Sequence, residues 1–214
     1  MRRRILVAIV VVLAVPAALF AQNQFGIWAN RTTFNSSGNV AIGMPVASNR
    51  LEVSQQTGFG VSADHFSGPN VSTEFSWMQS RGEAKLMIPT MSGDENVSGR
   101  VGSLRSDAVS AILRWHFAPG AMISPYLGVG GAYFLGGHLA TLDNPGIGVS
   151  GGNIKFDNHL ALVTNAGIDV RITRALAIGI DVRRASYKAK AKGNTGLALD
   201  LDPTTVALGV KLRM

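Results

Sequence analysis

The chain has no cysteine. A disulfide scaffold, a thiolate zinc site and a cysteine nucleophile are therefore excluded. Charge is scarce, at 15% of 214 residues, and aromatic residues make up only 7%. A helical bundle would be richer in Glu, Lys and Arg. The 25 glycines and abundant Val, Leu and Ile do not suit a disordered chain either. The formal net charge is +7, but Arg2, Arg3 and Arg4 supply three of those positives. From residue 22 onward 17 basic residues stand against 13 acidic ones, an ordinary balance that implies no nucleic-acid partner. Beyond that point no uncharged apolar run is long enough for a membrane-spanning helix. The sequence holds no HExxH, P-loop or EF-hand loop, so no metal or other cofactor is expected.

What the sequence does have begins at its N-terminus. Arg2-Arg3-Arg4 precede an uncharged run from Ile5 to Phe20, whose end carries small residues at Ala17 and Ala18, with Ala21 just after it. This is the layout of a secretory signal peptide over residues 1–21, with cleavage after Ala21. An uncleaved anchor is the alternative. The run is shorter than the ~20 residues a spanning helix needs, and Pro16 interrupts it.

Residues 22–214 alternate. Leu160, Leu162, Ala166, Ile168, Val170 and Ile172 fall on every second position, with Asn165, Gly167, Asp169 and Arg171 between them. Leu176–Val182 and Val206–Leu212 repeat the pattern. Period two means strands with one apolar face. Weaker versions occupy Val71–Trp77, Val109–Phe117 and Leu127–Leu135, and two further segments lie near Phe25–Phe34 and Leu51–Phe66, making eight. The connections alternate in length. Ser67–Asn70, Ala118–Ile123 and the turn at Thr173 are short, whereas Asn35–Arg50, Gly82–Arg100, Gly136–Phe156 and Ala189–Gly196 are long and polar. A soluble sandwich gives no reason for that alternation. An outer-membrane barrel has tight periplasmic turns and long outer loops. Lipid-facing Arg or Lys at mid-bilayer would cost ~2–4 kcal/mol each, so the charged face must be the lumen. A soluble lipocalin-like barrel would reverse the two faces.

Four segments in the C-terminal half carry a family resemblance. Ser124-Pro-Tyr-Leu-Gly-Val-Gly-Gly-Ala-Tyr-Phe134 resembles the fifth-strand signature of the OmpW family of small outer-membrane barrels. Ala166-Gly-Ile-Asp-Val-Arg-Ile-Thr173 resembles its sixth strand, Ile180-Asp-Val-Arg183 its seventh, and Leu199-Asp-Leu-Asp-Pro203 the start of its eighth. The similarity covers Ala108 to Met214 in the family's order; the N-terminal half matches only in strand layout. The resemblance implies an all-β, eight-stranded antiparallel transmembrane barrel in the outer membrane. It also implies passage of small hydrophobic compounds, with sideways exit into the membrane, and outer-membrane lipid and the barrel-assembly machinery as partners. Two positions depart from the family. Thr204 stands where an aromatic usually follows the Asp-Pro pair, and the chain ends in Met214 rather than Phe.

Inward-facing charges are the candidate site. Glu74, Arg114, Asp169, Arg171, Lys211 and Arg213 are expected near the periplasmic end of the lumen, as a salt-bridged plug, because buried charges persist only when paired. Small residues at Gly167, Gly179, Ala207 and Gly209 would leave room for the arginines. Asp181 and Arg183 are expected higher, as a separate pair. Lys188, Lys190 and Lys192 continue an outward phase and would meet lipid phosphates. Trp77, Trp115, Tyr133 and Tyr187 read as an interfacial girdle, and the apolar Val40–Val46 segment as a lid or a loop packed on its neighbours. His138 and His159 flank the third long loop, which holds Ser150 and Asp157, but no motif fixes a catalytic set and no enzyme activity is expected. The function classes are a narrow transport barrel, a structural or adhesive barrel with partner-binding loops, and, last, a lipid-modifying enzyme.

Overall fold

The computed structural model describes residues 23–37, 50–53, 55–89, 96–141, 152–186, 188–190 and 198–214. The signal segment, Val40–Val46, Ser150, Tyr187 and Lys192 lie outside them. In chain order the strands are β1 (Asn23–Ser37), β2 (Arg50–Val53), β3 (Gln56–Phe66), β4 (Val71–Pro89), β5 (Asn96–His116), β6 (Ile123–Phe134), β7 (His138–Thr141), β8 (Gly152–Lys155), β9 (His159–Arg171), β10 (Leu176–Ala185), β11 (Lys188–Lys190) and β12 (Ala198–Arg213).

Eight of them close a ring of antiparallel neighbours in the order β4-β3-β1-β12-β10-β9-β6-β5, and β5 returns to β4. The ring is staggered. From Arg114 the register leads through Gly128, Asn165, Arg183, Thr205, Thr32 and Gln56. Thr57 pairs Arg81, so the path reaches β4 at Gly82, whereas Arg114 itself pairs Ser72: a stagger of ten residues. For eight strands that stagger corresponds to a tilt of about 40°. A hydrogen-bonded row therefore climbs about 3 Å at each strand crossed.

The amphipathic pattern is inverted relative to a soluble protein. The exposed outer face carries Ile27, Phe59, Phe75, Leu113, Leu127, Leu162, Ile180 and Leu208, while the buried side chains include Asp64, Glu74, Arg114, Asp181 and Lys211. A water-soluble barrel would bury the first group, so this wall is built to face hydrocarbon. Trp77 packs edge-on against Phe59 at 5.6 Å near the upper border of the apolar wall, and the exposed Trp115 lies near the lower end.

The three short connections form as expected. Ser67 N–H donates to Val71 O, Ala121 N–H to Ala118 O, and Thr173 Oγ1 accepts from Ala175 and Leu176 N–H. Asn23 and Met214 lie on this side too, where Met214 N–H donates to Asn23 O.

The opposite end departs from expectation. The segment Gly82–Arg100 is not mainly loop: β4 and β5 stay paired up to Pro89 and Asn96, with an irregularity at Ala84/Lys85. Part of Gly136–Phe156 is likewise a β7–β8 hairpin. Gly136, at φ +59°, turns the chain from β6 into β7, and a Cβ there would lie 2.7 Å from Phe156 O. These extensions form two groups. The first is β2-β4-β5-β7-β8, and the second is β1-β12-β11. Between them, among the described residues, the ladders stop: β1 pairs β3 only up to Thr32, and β9 pairs β10 only down to Val163, with one further bond from Ser186 N–H to Leu162 O. Two seams thus enter the wall from the loop end, beside β1 and beside β10.

Candidate functional site

The lumen is crossed by one ionic network. Its centre is Arg114 on β5, placed inward because Ile112, Arg114 and His116 share one face of the strand. Arg114 Nη1 donates to Asp64 Oδ1 at 2.9 Å, Nη2 lies 2.6 Å from Glu74 Oε2 and 2.9 Å from Asp181 Oδ2, and Nε donates to Asn165 Oδ1 at 2.9 Å. Arg183 closes on the same acids, with Nε 2.6 Å from Asp181 Oδ1 and Nη2 2.9 Å from Glu74 Oε1. It also donates to Ser76 Oγ at 2.8 Å. Below, Lys211 Nζ donates to Asp169 Oδ2 at 2.9 Å and lies 3.4 Å from Asp64 Oδ2. Tyr126 and Asn165 add donors to Asp181 Oδ2 at 2.7 and 2.8 Å. Apart from Asp169, which is held by Lys211, each ion has several neighbours, the condition under which buried charge is tolerable.

Two aromatic residues fill the space beside the ions. Trp28 donates from Nε1 to Ser62 Oγ at 2.9 Å, and Lys211 Nζ lies 5.3 Å from its ring. The guanidinium of Arg114 lies 4.6 Å from the Tyr126 ring. The small residues serve these rings rather than the arginines. A Cβ on Gly209 would meet Trp28 Cε3 at 2.4 Å, one on Gly179 would meet Trp28 Cη2 at 2.7 Å, and one on Gly167 would meet Tyr126 Oη at 2.3 Å.

The expected residues do not all meet. Glu74, Arg114, Asp169 and Lys211 do. Arg171 instead donates to Pro119 O at 2.8 Å and Gly120 O at 3.3 Å in the turn after β5. Arg213 is exposed, with its guanidinium 6.0 Å from the Phe66 ring. Each lies two residues nearer the strand end than its inward neighbour, Asp169 or Lys211, a drop of roughly 6–7 Å along the strand. That carries both to the rim. Asp181 and Arg183 are not a separate pair: the Arg183 side chain reaches across to Glu74 and joins them to Arg114. Lys188 and Lys190 lie on β11, opposite Asp200 and Ala198. His138 is on β7 opposite Lys155, and His159 opens β9 opposite Phe134. No cluster of His, Asp or Glu suited to a metal occurs among the described residues.

Sequence reading missed Asp64, Tyr126, Asn165 and Trp28. Asp64 shares the inward phase of Gly58, Gly60 and Ser62, between the outward Phe59 and Val61, and that phase was the available signal.

The network separates two cavities that share no lining residue. Toward the loops lies a space of about 80 Å³, lined by Phe34, Met78, Leu104, Ala132, Phe134 and Val163 with several Ser and Thr residues between them, and with Arg183 at its floor. Toward the turns lies one of about 440 Å³, lined by Lys211, Asp169, Arg171, Arg174, Arg213 and His116 among others.

A family model of the OmpW family matches residues 28–214. Among solved structures, OprG from Pseudomonas aeruginosa aligns over 90% of this chain and 95% of its own, at 15% identity and a TM-score of 0.72. AlkL, solved by solid-state NMR in lipid bilayers, aligns over 92% and 93%, at 16% identity and a TM-score of 0.58. Neisserial surface protein A aligns over 89% and 97%, at 12% identity and a TM-score of 0.54. No curated protein sequence matches. Family and fold agree with the lipid-facing wall on an outer-membrane location, and the chain belongs to the OmpW family of outer-membrane β-barrels.

Proposed function

We propose that the barrel is a narrow transport protein for small hydrophobic compounds. They enter the loop-side lumen from outside and leave sideways into the membrane. The observation that carries this reading is the division of the lumen. Its upper space is mostly apolar, and its floor is a layer of paired ions. An apolar solute gains by entering that space, at about 25 cal/mol per Å² of apolar surface removed from water. It would have to displace or desolvate the ion pairs to continue downward, which is far more costly. The seams beside β1 and β10, where neighbouring strands lose their hydrogen bonds, offer a route through the wall above the ions. The ion network in this reading is a plug.

The test is uptake of a hydrophobic fluorophore into liposomes carrying the refolded mature protein. Uptake above empty liposomes is expected, and Ala132→Phe, which fills the upper space, abolishes it while the barrel still migrates as a folded species on gels. No uptake by the unaltered protein sinks the transport reading and leaves the structural or adhesive barrel.

A further inference from the structure

One outward row of the wall is unlike the rest. Arg31 on β1 pairs Thr57 on β3, Thr57 pairs Arg81 on β4, Arg81 pairs Arg105 on β5, and Arg105 pairs His138 on β7. Arg31 and Arg81 are exposed and Arg105 is partly so. Arg81 and Arg105 stand directly opposite each other, a pairing of like charges that destabilises a sheet. The other described outward charges nearby are Lys85, Glu83 and Asp107, and Lys155, opposite His138, continues the row. Asp107 Oδ2 lies 3.4 Å from Arg105 Nε, and its Oδ1 accepts a hydrogen bond from Gln79. Arg31 donates to Gln55 Oε1, a neutral partner. The patch keeps a net positive charge.

Its height gives the charge a meaning. Phe59, Trp77, Val109 and Tyr133 occupy outward positions two or four residues nearer mid-wall on β3, β4, β5 and β6, so the row begins where hydrocarbon contact ends. Because the row climbs with the strand tilt, Arg105 lies three strand spacings, about 14 Å, along it from Arg31, that is, about 9 Å higher and about 11 Å to the side. One phosphate cannot meet all three guanidiniums. A headgroup carrying two phosphates on a sugar scaffold spans that distance, and its acyl chains would lie on the apolar wall beneath.

We propose that Arg31, Arg81 and Arg105 form a binding surface for the two phosphates of a bisphosphorylated, multiply acylated glycolipid of the outer leaflet. Bidentate guanidinium–phosphate bonds supply the affinity. The bound anion also relieves the repulsion between Arg81 and Arg105. This surface is independent of the lumen and of any transport through it.

The experiment is titration of the refolded mature protein in detergent with the bisphosphorylated glycolipid and with its dephosphorylated form, read by native mass spectrometry. Arg81→Gln/Arg105→Gln and Arg81→Lys/Arg105→Lys are run alongside, with the heat-dependent gel shift as the check on folding. The expected result is a preference of about tenfold or more for the phosphorylated form, lost in the Gln pair and partly kept in the Lys pair. Equal binding of both glycolipids, or an unchanged preference in the folded Gln pair, overturns the proposal. Displacement of the glycolipid by equimolar inorganic phosphate would show that the anion alone is recognised. Equal binding of phosphatidylglycerol would show any anionic lipid to suffice. Either result also overturns it.

Discussion

Arg183 and Glu74 meet across the full width of the barrel. Their strands, β10 and β4, are four places apart in either direction around the ring, yet Nη2 and Oε1 are 2.9 Å apart. The pair ties opposite walls together through the lumen. Glu74→Gln or Arg183→Gln leaves a buried charge short of its partner, and each is expected to cost about 3–5 kcal/mol. The double variant costs less than the two single losses added together, because the residues share one interaction. The temperature at which the folded gel band disappears measures both effects.

Arg114 and Arg171 are expected to differ in planar bilayers. Arg114 holds Asp64, Glu74 and Asp181 from the centre of the lumen, whereas Arg171 bonds a turn at its rim. Arg114→Ala raises single-channel conductance, and Arg171→Ala leaves it unchanged. Equal conductance of all three proteins would remove the ion network as the barrier.

Gly209 is a seat for Trp28. Gly209→Ala forces the indole to move and is expected to cost about 1–3 kcal/mol, as overpacking does. Trp28→Leu in the same chain recovers part of that loss, the rest coming from Ile27 O, 2.7 Å from the added Cβ. The melting behaviour of the two variants checks it; if Trp28→Leu gives no recovery, the strain lies elsewhere.

Met214 is exposed and shares the outward phase of Leu212. If the assembly machinery reads an apolar outward side chain at this end, Met214→Phe assembles at least as well as the natural chain and Met214→Asp assembles poorly. The fraction of protein recovered in the outer membrane as the heat-modifiable form tells them apart.

The barrel core was legible from alternation, because lipid forces one face of each strand to be apolar. Leu160–Ile172 and Leu176–Val182 could be read almost residue by residue. Above the membrane both faces of a strand meet water and alternation vanishes, which is why Gly82–Pro89 read as loop although it continues β4. Four of the six expected plug residues came together because phase alone decides inward or outward. Height and reach depend on tilt and side-chain length, which phase does not show. That misplaced Arg171 and Arg213, and it split Asp181 and Arg183 from a group they belong to.

The place of Trp28 also bears on how the chain is made. Its ring lies against Gly209, its direct cross-strand partner, and Gly179. The indole N–H already has Ser62 on β3, but the ring completes its packing only on β10 and β12, and Lys211, which lies over the same ring, arrives later still. A nascent or truncated product that ends before residue 209 holds an indole whose seat on β12 is missing and an Asp169 without Lys211 as its counter-ion. Partial barrels are thereby penalised, and the transition to the finished form is expected to be all-or-none and slow, as contacts so distant in sequence dictate. Completion of the polypeptide is in effect a checkpoint written into its own interior.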